Sequence, residues 1–188
     1  MLLLAMGEDS KKFTKVVDSY AEWIAQFYRA WGKSDAPVIM SHDDICWTSG
    51  PVASPAWYRQ NIFPHYKKLW APLLEADKKL IFTSDGKYDM FFDDIVECGA
   101  RTLVMEPCSD MASFAKKYGK THGFIGNADT RILLRGNRDE IRAEVKRCMD
   151  IGRDCPGFIM AVGNHIPANT PIDSCLWYQE AYLEMSPR

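Results

Sequence analysis

Several features are scarce in this sequence, and each scarcity closes off a class of protein. Six cysteines are present (Cys46, Cys98, Cys108, Cys148, Cys155 and Cys175), yet no two form a Cys-x-x-Cys pair. That excludes a zinc ribbon and a thioredoxin-like redox motif. No basic stripe appears and the net charge is −2, so the phosphate neutralisation that drives nucleic-acid binding is missing. The apolar opening from Met1 to Met6 is too short for a signal peptide or a membrane span. No linker or low-complexity stretch divides the chain, so residues 1–188 read as a single domain. A chain of this size needs no disulfide staples, and a reducing cytoplasm is the expected location.

What the sequence does have is alternation. Phe13, Val16, Val17, Tyr20, Ile24, Phe27 and Trp31 recur at helical spacing, with Asp9 or Ser10 as N-cap and Gly32 as stop. The short apolar run from Ala36 to Met40 reads as a buried strand. Ser54-Pro55 then opens a helix expected to run toward Asp77. Lys79 to Phe82 is the next strand, followed by a helix from about Tyr88 to Gly99. Thr102 to Met105 is a strand, and Ser109 or Asp110 caps a short helix ending at Gly119. Thr121 to Ile125 is the fourth strand. Asn137 and Glu140 have capping-box spacing at the head of a helix that Gly152 ends. Gly157 to Val162 is the last strand, and Thr170-Pro171 with Asp173 opens a final helix.

Strands joined through helices by short loops should be parallel and covered by those helices. The fold class is therefore α/β with about five parallel strands. Either the sheet is open and doubly wound, or it is part of a TIM-type (β/α) barrel, whose full form has eight strands in roughly 250 residues.

Every expected strand ends in polar groups: Asp43 and Asp44, Ser84 and Asp85, Glu106, Asn127 and Asp129, Asn164 and His165. In parallel α/β proteins the carboxyl ends of the strands form the functional face. The same residue types also make turns and cap helices, but five successive clusters point to one common site. Asp43, Asp44, Asp85 and His165 are the candidate catalytic groups. Ser84, Asn127, Asp129 and Asn164 are the candidate substrate-binding groups. Adjacent Asp43 and Asp44 point in different directions, so one should face a cavity as an acid with a raised pKa and the other should hold a backbone N–H. His165 can bind an anion, donate a hydrogen bond or ligate metal. Trp47, Trp57 and Tyr88 are available as an apolar wall, whereas His65 and His122 read as structural.

These clusters also carry a family resemblance. Asp43-Asp44, Gly50-Pro51, Ser54-Pro55, Pro64 with Lys67-Lys68, Ser84-Asp85-Gly86, Glu97-Cys98-Gly99-Ala100, Gly126-Asn127-Ala128-Asp129 and Gly163-Asn164-His165 with Thr170-Pro171 stand in register from about Ala36 onward. In order and spacing they resemble the uroporphyrinogen decarboxylase superfamily, which holds uroporphyrinogen decarboxylases and corrinoid-linked methyltransferases on (β/α) barrels. The resemblance implies a tetrapyrrole substrate or a corrinoid protein partner, and makes the strands here the fourth to the eighth. The first three strands would be missing, together with the decarboxylase's arginine-rich segment and catalytic aspartate. A homodimer, or a partner supplying the missing strands, is then expected, and a non-catalytic fragment or one subunit of a split barrel is the alternative. The methyltransferase branch places a zinc-binding His-x-Cys pair where this chain reads Thr83-Ser84-Asp85. Zinc is left with Glu106, Cys108 and His165 as candidate ligands on neighbouring strand ends.

Overall fold

A computed structural model describes residues 2–186 of the chain. A short helix, α1 (Leu2–Glu8), leads into α2 (Ser10–Gly32), where the Asp9 carboxylate caps the first turn by accepting from the Lys12 N–H. Strand β1 (Val38–His42) follows, then a small hairpin of β2 (Cys46–Trp47) and β3 (Gly50–Pro51). That hairpin has no signature in the hydrophobic pattern. The single helix expected from Ser54 toward Asp77 is two, α3 (Pro55–Asn61) and α4 (Phe63–Glu75). Pro64 has no N–H to give to the carbonyl of Gln60, so the helix restarts after Ile62.

Strand β4 (Lys79–Thr83), a 3-10 turn (Asp89–Phe91) with α5 (Phe92–Cys98), β5 (Thr102–Val104) and α6 (Met111–Tyr118) continue the alternation. Strand β6 spans Gly123–Ala128, later than the expected Thr121 to Ile125. Asp129 therefore lies beyond the strand, as N-cap of a helix the pattern did not reveal, α7 (Thr130–Arg135). Helix α8 (Arg138–Gly152) begins at the Asn137 cap, whose side chain accepts from the Glu140 N–H. Strand β7 (Phe158–Val162) and α9 (Ile172–Met185) complete the chain. No helix among the described residues is long and apolar enough to cross a membrane.

The main sheet has the order β1-β4-β5-β6-β7, every neighbour parallel. Strand order thus follows chain order from one edge to the other. A doubly wound sheet reverses direction at a switch point, whereas a (β/α) barrel adds each strand beside the last. The architecture is a partial TIM-type (β/α) barrel of five strands with its helices on one side.

Alternation along the strands separates the two faces of the sheet. Leu80, Phe82, Leu103 and Phe124 point into the helix layer and are fully buried. There they meet an aromatic core that includes Trp70, stacked on Tyr66 with ring centroids 4.8 Å apart. The opposite, concave face carries Met40, Ile81, Val104, Ile125 and Ile159, and its edges are open: Met40 is 53% and Ile159 55% exposed.

Candidate functional site

The carboxyl ends of the strands gather on one rim, where a cleft of about 430 Å³ opens between the β1, β4 and β5 ends. It is lined by Asp44, Cys46, Trp47, Asp85, Gly86 and Glu106, among others. Trp47 and the rest of the hairpin form its outer wall. Of the other two aromatics expected there, Tyr88 is fully buried in the core, its hydroxyl donating to the Val104 carbonyl, and Trp57 packs against Tyr58. Both are drawn into the core because helix packing buries far more of an aromatic ring than a shallow cleft does.

Asp43 and Asp44 part company at the end of β1. The Asp43 carboxylate turns toward the core and accepts from the Tyr66 hydroxyl at 2.6 Å. Burial pushes its pKa above the ordinary carboxylate value, the Tyr66 bond pulls it part of the way back, and the neighbouring Asp44 charge adds a further upward push. Asp44 faces the cleft and accepts from the Asp85 N–H at 3.0 Å, with His42 Nε2 also 3.0 Å from the same oxygen.

Asp85 follows β4. Burial pushes its carboxyl pKa up, with the charges of Glu106 and Asp44 adding to the effect. Ser84 is buried beneath it; the Ser84 hydroxyl donates to the Asp85 carbonyl and accepts from the Ile45 N–H. These two bonds tie the β4 end to the β1 loop. Gly86 takes φ +82, and a Cβ there would lie 2.5 Å from the Cys46 carbonyl oxygen. Only glycine lets this turn approach the hairpin so closely.

Glu106, at the end of β5, joins three strand ends. Its carboxylate accepts from the Gly86 N–H at 2.6 Å and from the Asn164 amide at 2.5 Å. Asn164 also reaches Asp85 at 3.5 Å, and its own carbonyl oxygen accepts from the His165 N–H. Asn164 and His165 are both exposed on the rim. Cys108 lies 3.9 Å from Glu106, and burial with that neighbouring charge raises its pKa, which holds it as a thiol.

The β6 end differs. Asn127 is 1% exposed. Its amide donates to the carbonyls of Glu106 and Ser109, and its carbonyl oxygen accepts from Arg147 at 2.9 Å. Arg147 is paired in turn with the buried Glu144, which accepts from the Asp129 N–H. Asp129 caps α7 and holds Arg131 in a two-pronged bond, which keeps its carboxyl below the usual range. The Glu144–Arg147 pair has no counterpart in a strand-end reading, because both residues lie in the middle of α8.

Among the described residues one group has metal-ligand spacing: His42, Asp44 and Asp85, whose ligand atoms lie within 4.8 Å of one another. Glu106, Cys108 and His165 do not converge in this way. One imidazole and two carboxylates can hold a divalent cation that accepts nitrogen and oxygen donors. This donor set does not fit a thiolate-rich zinc centre.

The comparisons with known proteins agree with this geometry. The uroporphyrinogen decarboxylase (URO-D) family model matches residues 2–184. Among curated proteins, uroporphyrinogen decarboxylase of Syntrophotalea carbinolica is 25% identical over 166 residues, covering 88% of this chain and 47% of that protein. The Thermus thermophilus uroporphyrinogen decarboxylase is 25% identical over 183 residues, covering 97% and 51%. The chain spans about half the length of these relatives. Among solved structures, a methyltransferase from Methanosarcina mazei superposes with a TM-score of 0.73 at 20% identity, over 97% of this chain and 52% of that one. At that identity the likeness concerns the fold. With a family model matched from Leu2 to Glu184 and the five strand ends arranged on one rim, the chain belongs to the uroporphyrinogen decarboxylase family.

Proposed function

We propose that this chain supplies the carboxylate-bearing rim of a catalytic barrel that works by proton donation in corrinoid-linked methyl transfer. The observation that carries the reading is the charge of the cleft. Its wall presents Asp44, Asp85 and Glu106, and among the described residues no Lys or Arg lines it. On this part of the barrel a tetrapyrrole bearing many carboxylates would meet like charge, so its binding would depend on the arginine-rich segment that the resemblance places on the strands lacking here. A neutral methylated substrate has no such requirement.

Asp85 and Asp43 have raised pKa values and so retain protons at higher pH than ordinary carboxylates. Asp85, on the cleft wall, is the acid that protonates the leaving heteroatom as its bond to the methyl group breaks. The methyl group passes to the corrinoid of a partner protein. Asp44 fixes the Asp85 backbone, and Asn164 with His165 orients the substrate from beside Glu106 on the same rim. Ser84, Asn127 and Asp129 hold the shape of the rim. A divalent cation held by His42, Asp44 and Asp85 would ionise Asp85 and take the place of its proton, polarising the departing group as a Lewis acid.

Decarboxylation of a tetrapyrrole is the second reading, favoured by the curated relatives from Syntrophotalea carbinolica and Thermus thermophilus, both uroporphyrinogen decarboxylases. Under either reading the active form includes further barrel strands, from a partner or a second copy. The chain, isolated together with whatever supplies those strands, should be offered reduced cobalamin with methanol, methylamines and methoxyphenols in turn, and separately uroporphyrinogen. Methylation of cobalamin from one of these donors is the expected result. Loss of carboxyl groups from uroporphyrinogen, with no methylation, overturns the first reading in favour of the second.

A further inference from the structure

The two ends of the sheet carry opposite charge. At the carboxyl rim the cleft presents Asp44, Asp85 and Glu106. Beneath the starts of β4, β5 and β6 lies a second cavity, of about 320 Å³. It presents Lys78, Lys79, Arg101 and His122 against a single carboxylate, Asp77. Its walls come from the ends of α4 and α5 and the loops that lead out of α4, α5 and α6, so it is built wholly from elements already described.

The single carboxylate is already engaged. Asp77 accepts from the Lys79 ammonium at 2.9 Å. That bond, with a smaller pull from the Arg101 charge, keeps its carboxyl below the usual range. Two cations are left over. Lys78 is 8% exposed, and its ammonium donates to the carbonyls of Ser34 at 2.6 Å and Ala36 at 2.8 Å. Those neutral acceptors satisfy N–H groups but leave the charge whole, and a buried ammonium with no carboxylate beside it is uncommon. Arg101 is fixed through its backbone, which donates to the Leu80 carbonyl and accepts from the Gly123 N–H. Among the described residues its guanidinium has no hydrogen-bond or ion-pair partner. Basic side chains near helix C-termini often bond the last carbonyls; Arg101, just past α5, makes no such bond.

We propose that this cavity is a binding site for a phosphate monoester. The two unpaired cations match the double charge that such an ester approaches near neutral pH, and a guanidinium grips phosphate oxygens with paired N–H groups. Leu74 and Val96, which line the same cavity, receive the apolar substituent of the ester. The volume suits a small molecule. His122 is half-buried, with Nδ1 2.9 Å from the Thr121 hydroxyl. Burial, with the Arg101 charge adding to it, lowers the His122 pKa, and a dianion held by Arg101 offsets the second of these effects. The site lies at the opposite end of the strands from Asp85 and Glu106, so its ligand is not the molecule transformed at the rim.

Nuclear magnetic resonance of the histidine rings tests the site. The full chain is isotope-labelled at histidine, in the assembly in which it purifies, and His122→Gln identifies the His122 signal by its loss. Phenyl phosphate is titrated at fixed ionic strength, with benzyl alcohol and benzoate as neutral and singly charged counterparts. The expected result is a saturable rise of the His122 pKa, by roughly one unit, with phenyl phosphate alone. Arg101→Gln should weaken that binding about tenfold or more, and Lys11→Ala should leave it unchanged. Because Arg101 is exposed, its replacement should leave the fold intact, which circular dichroism checks. A His122 titration that phenyl phosphate leaves unmoved overturns the proposal. So does equal affinity in Arg101→Gln, or binding of benzoate as tight as that of phenyl phosphate. No turnover is measured, so the outcome is independent of the methylation assay.

Discussion

The ends of β4 and β6 look alike as sequence and behave differently as structure. Ser84-Asp85-Gly86 and Gly126-Asn127-Ala128-Asp129 are both short polar clusters with glycine, each closing a strand. At β4 the carboxylate of Asp85 stays on the cleft wall among other carboxylates, and its pKa is pushed up. At β6 the amide of Asn127 is buried, and each of its polar atoms is engaged by Glu106, Ser109 and Arg147. One end keeps its polar atoms available for chemistry and the other spends them on holding neighbours in place. Hydrogen-bond saturation, and not residue type, separates the two.

Substitutions at the two ends should separate activity from stability. The largest effect is expected at β4. Asp85→Asn removes the proposed acid and should lower turnover by roughly 10²- to 10⁴-fold, while the urea midpoint stays close to that of the parent. A parallel loss of stability would mean that Asp85 is structural, and the comparison would collapse. At β6, Asn127→Ala leaves two buried carbonyls and Arg147 short of partners. It should cost about 2–3 kcal/mol, read from urea unfolding followed by circular dichroism.

Gly86→Ala sharpens the contrast from within the β4 end. The left-handed backbone and the approach of the Cys46 carbonyl put the cost at roughly 1–3 kcal/mol, and the cleft should deform with it. Thermal unfolding together with a substrate titration would register both effects.

The smallest effects belong to Asp43, and they have a defined sign. Its raised pKa means that the folded state holds the proton more tightly than the unfolded chain does. Ionising it therefore costs stability as pH climbs above the ordinary value of 3.8. Asp43→Asn should raise the melting temperature at pH 7, with the gain shrinking as pH falls toward 3.8. Tyr66→Phe removes the bond that lowers the Asp43 pKa, so any limb of the rate profile governed by Asp43 should move to higher pH. Its stability cost should be about 1 kcal/mol.

Much of the fold was legible because local signals and tertiary structure agree. Asp9, Ser54, Asp110 and Asn137 cap the helices where the sequence places caps. Gly99 ends α5 in the left-handed conformation that glycine favours. The five strands stand close to the expected apolar runs. The β2–β3 hairpin was not legible, since two-residue strands have no periodicity to detect. Helix α7 was hidden because its cap, Asp129, also reads as a strand-end site residue. The opposite orientations of Asp43 and Asp44 follow from their adjacency, but which one meets Tyr66 depends on the packing of α4. His42 gave no signal as a neighbour of Asp85, because the two lie 43 positions apart in sequence and meet only through the parallel pairing of β1 with β4.

The sequence by itself determined the alternation of strands and helices, the caps, and the rule that each strand ends in polar residues. Periodicity and capping are local, so a single chain read in order carries them. Only the tertiary structure decided that the strands follow one another in barrel order, that Asp44, Asp85 and Glu106 share a cleft, and that Asn127 is sealed behind Arg147. Those outcomes depend on which residues far apart in sequence come into contact, and on which polar groups find partners when they do.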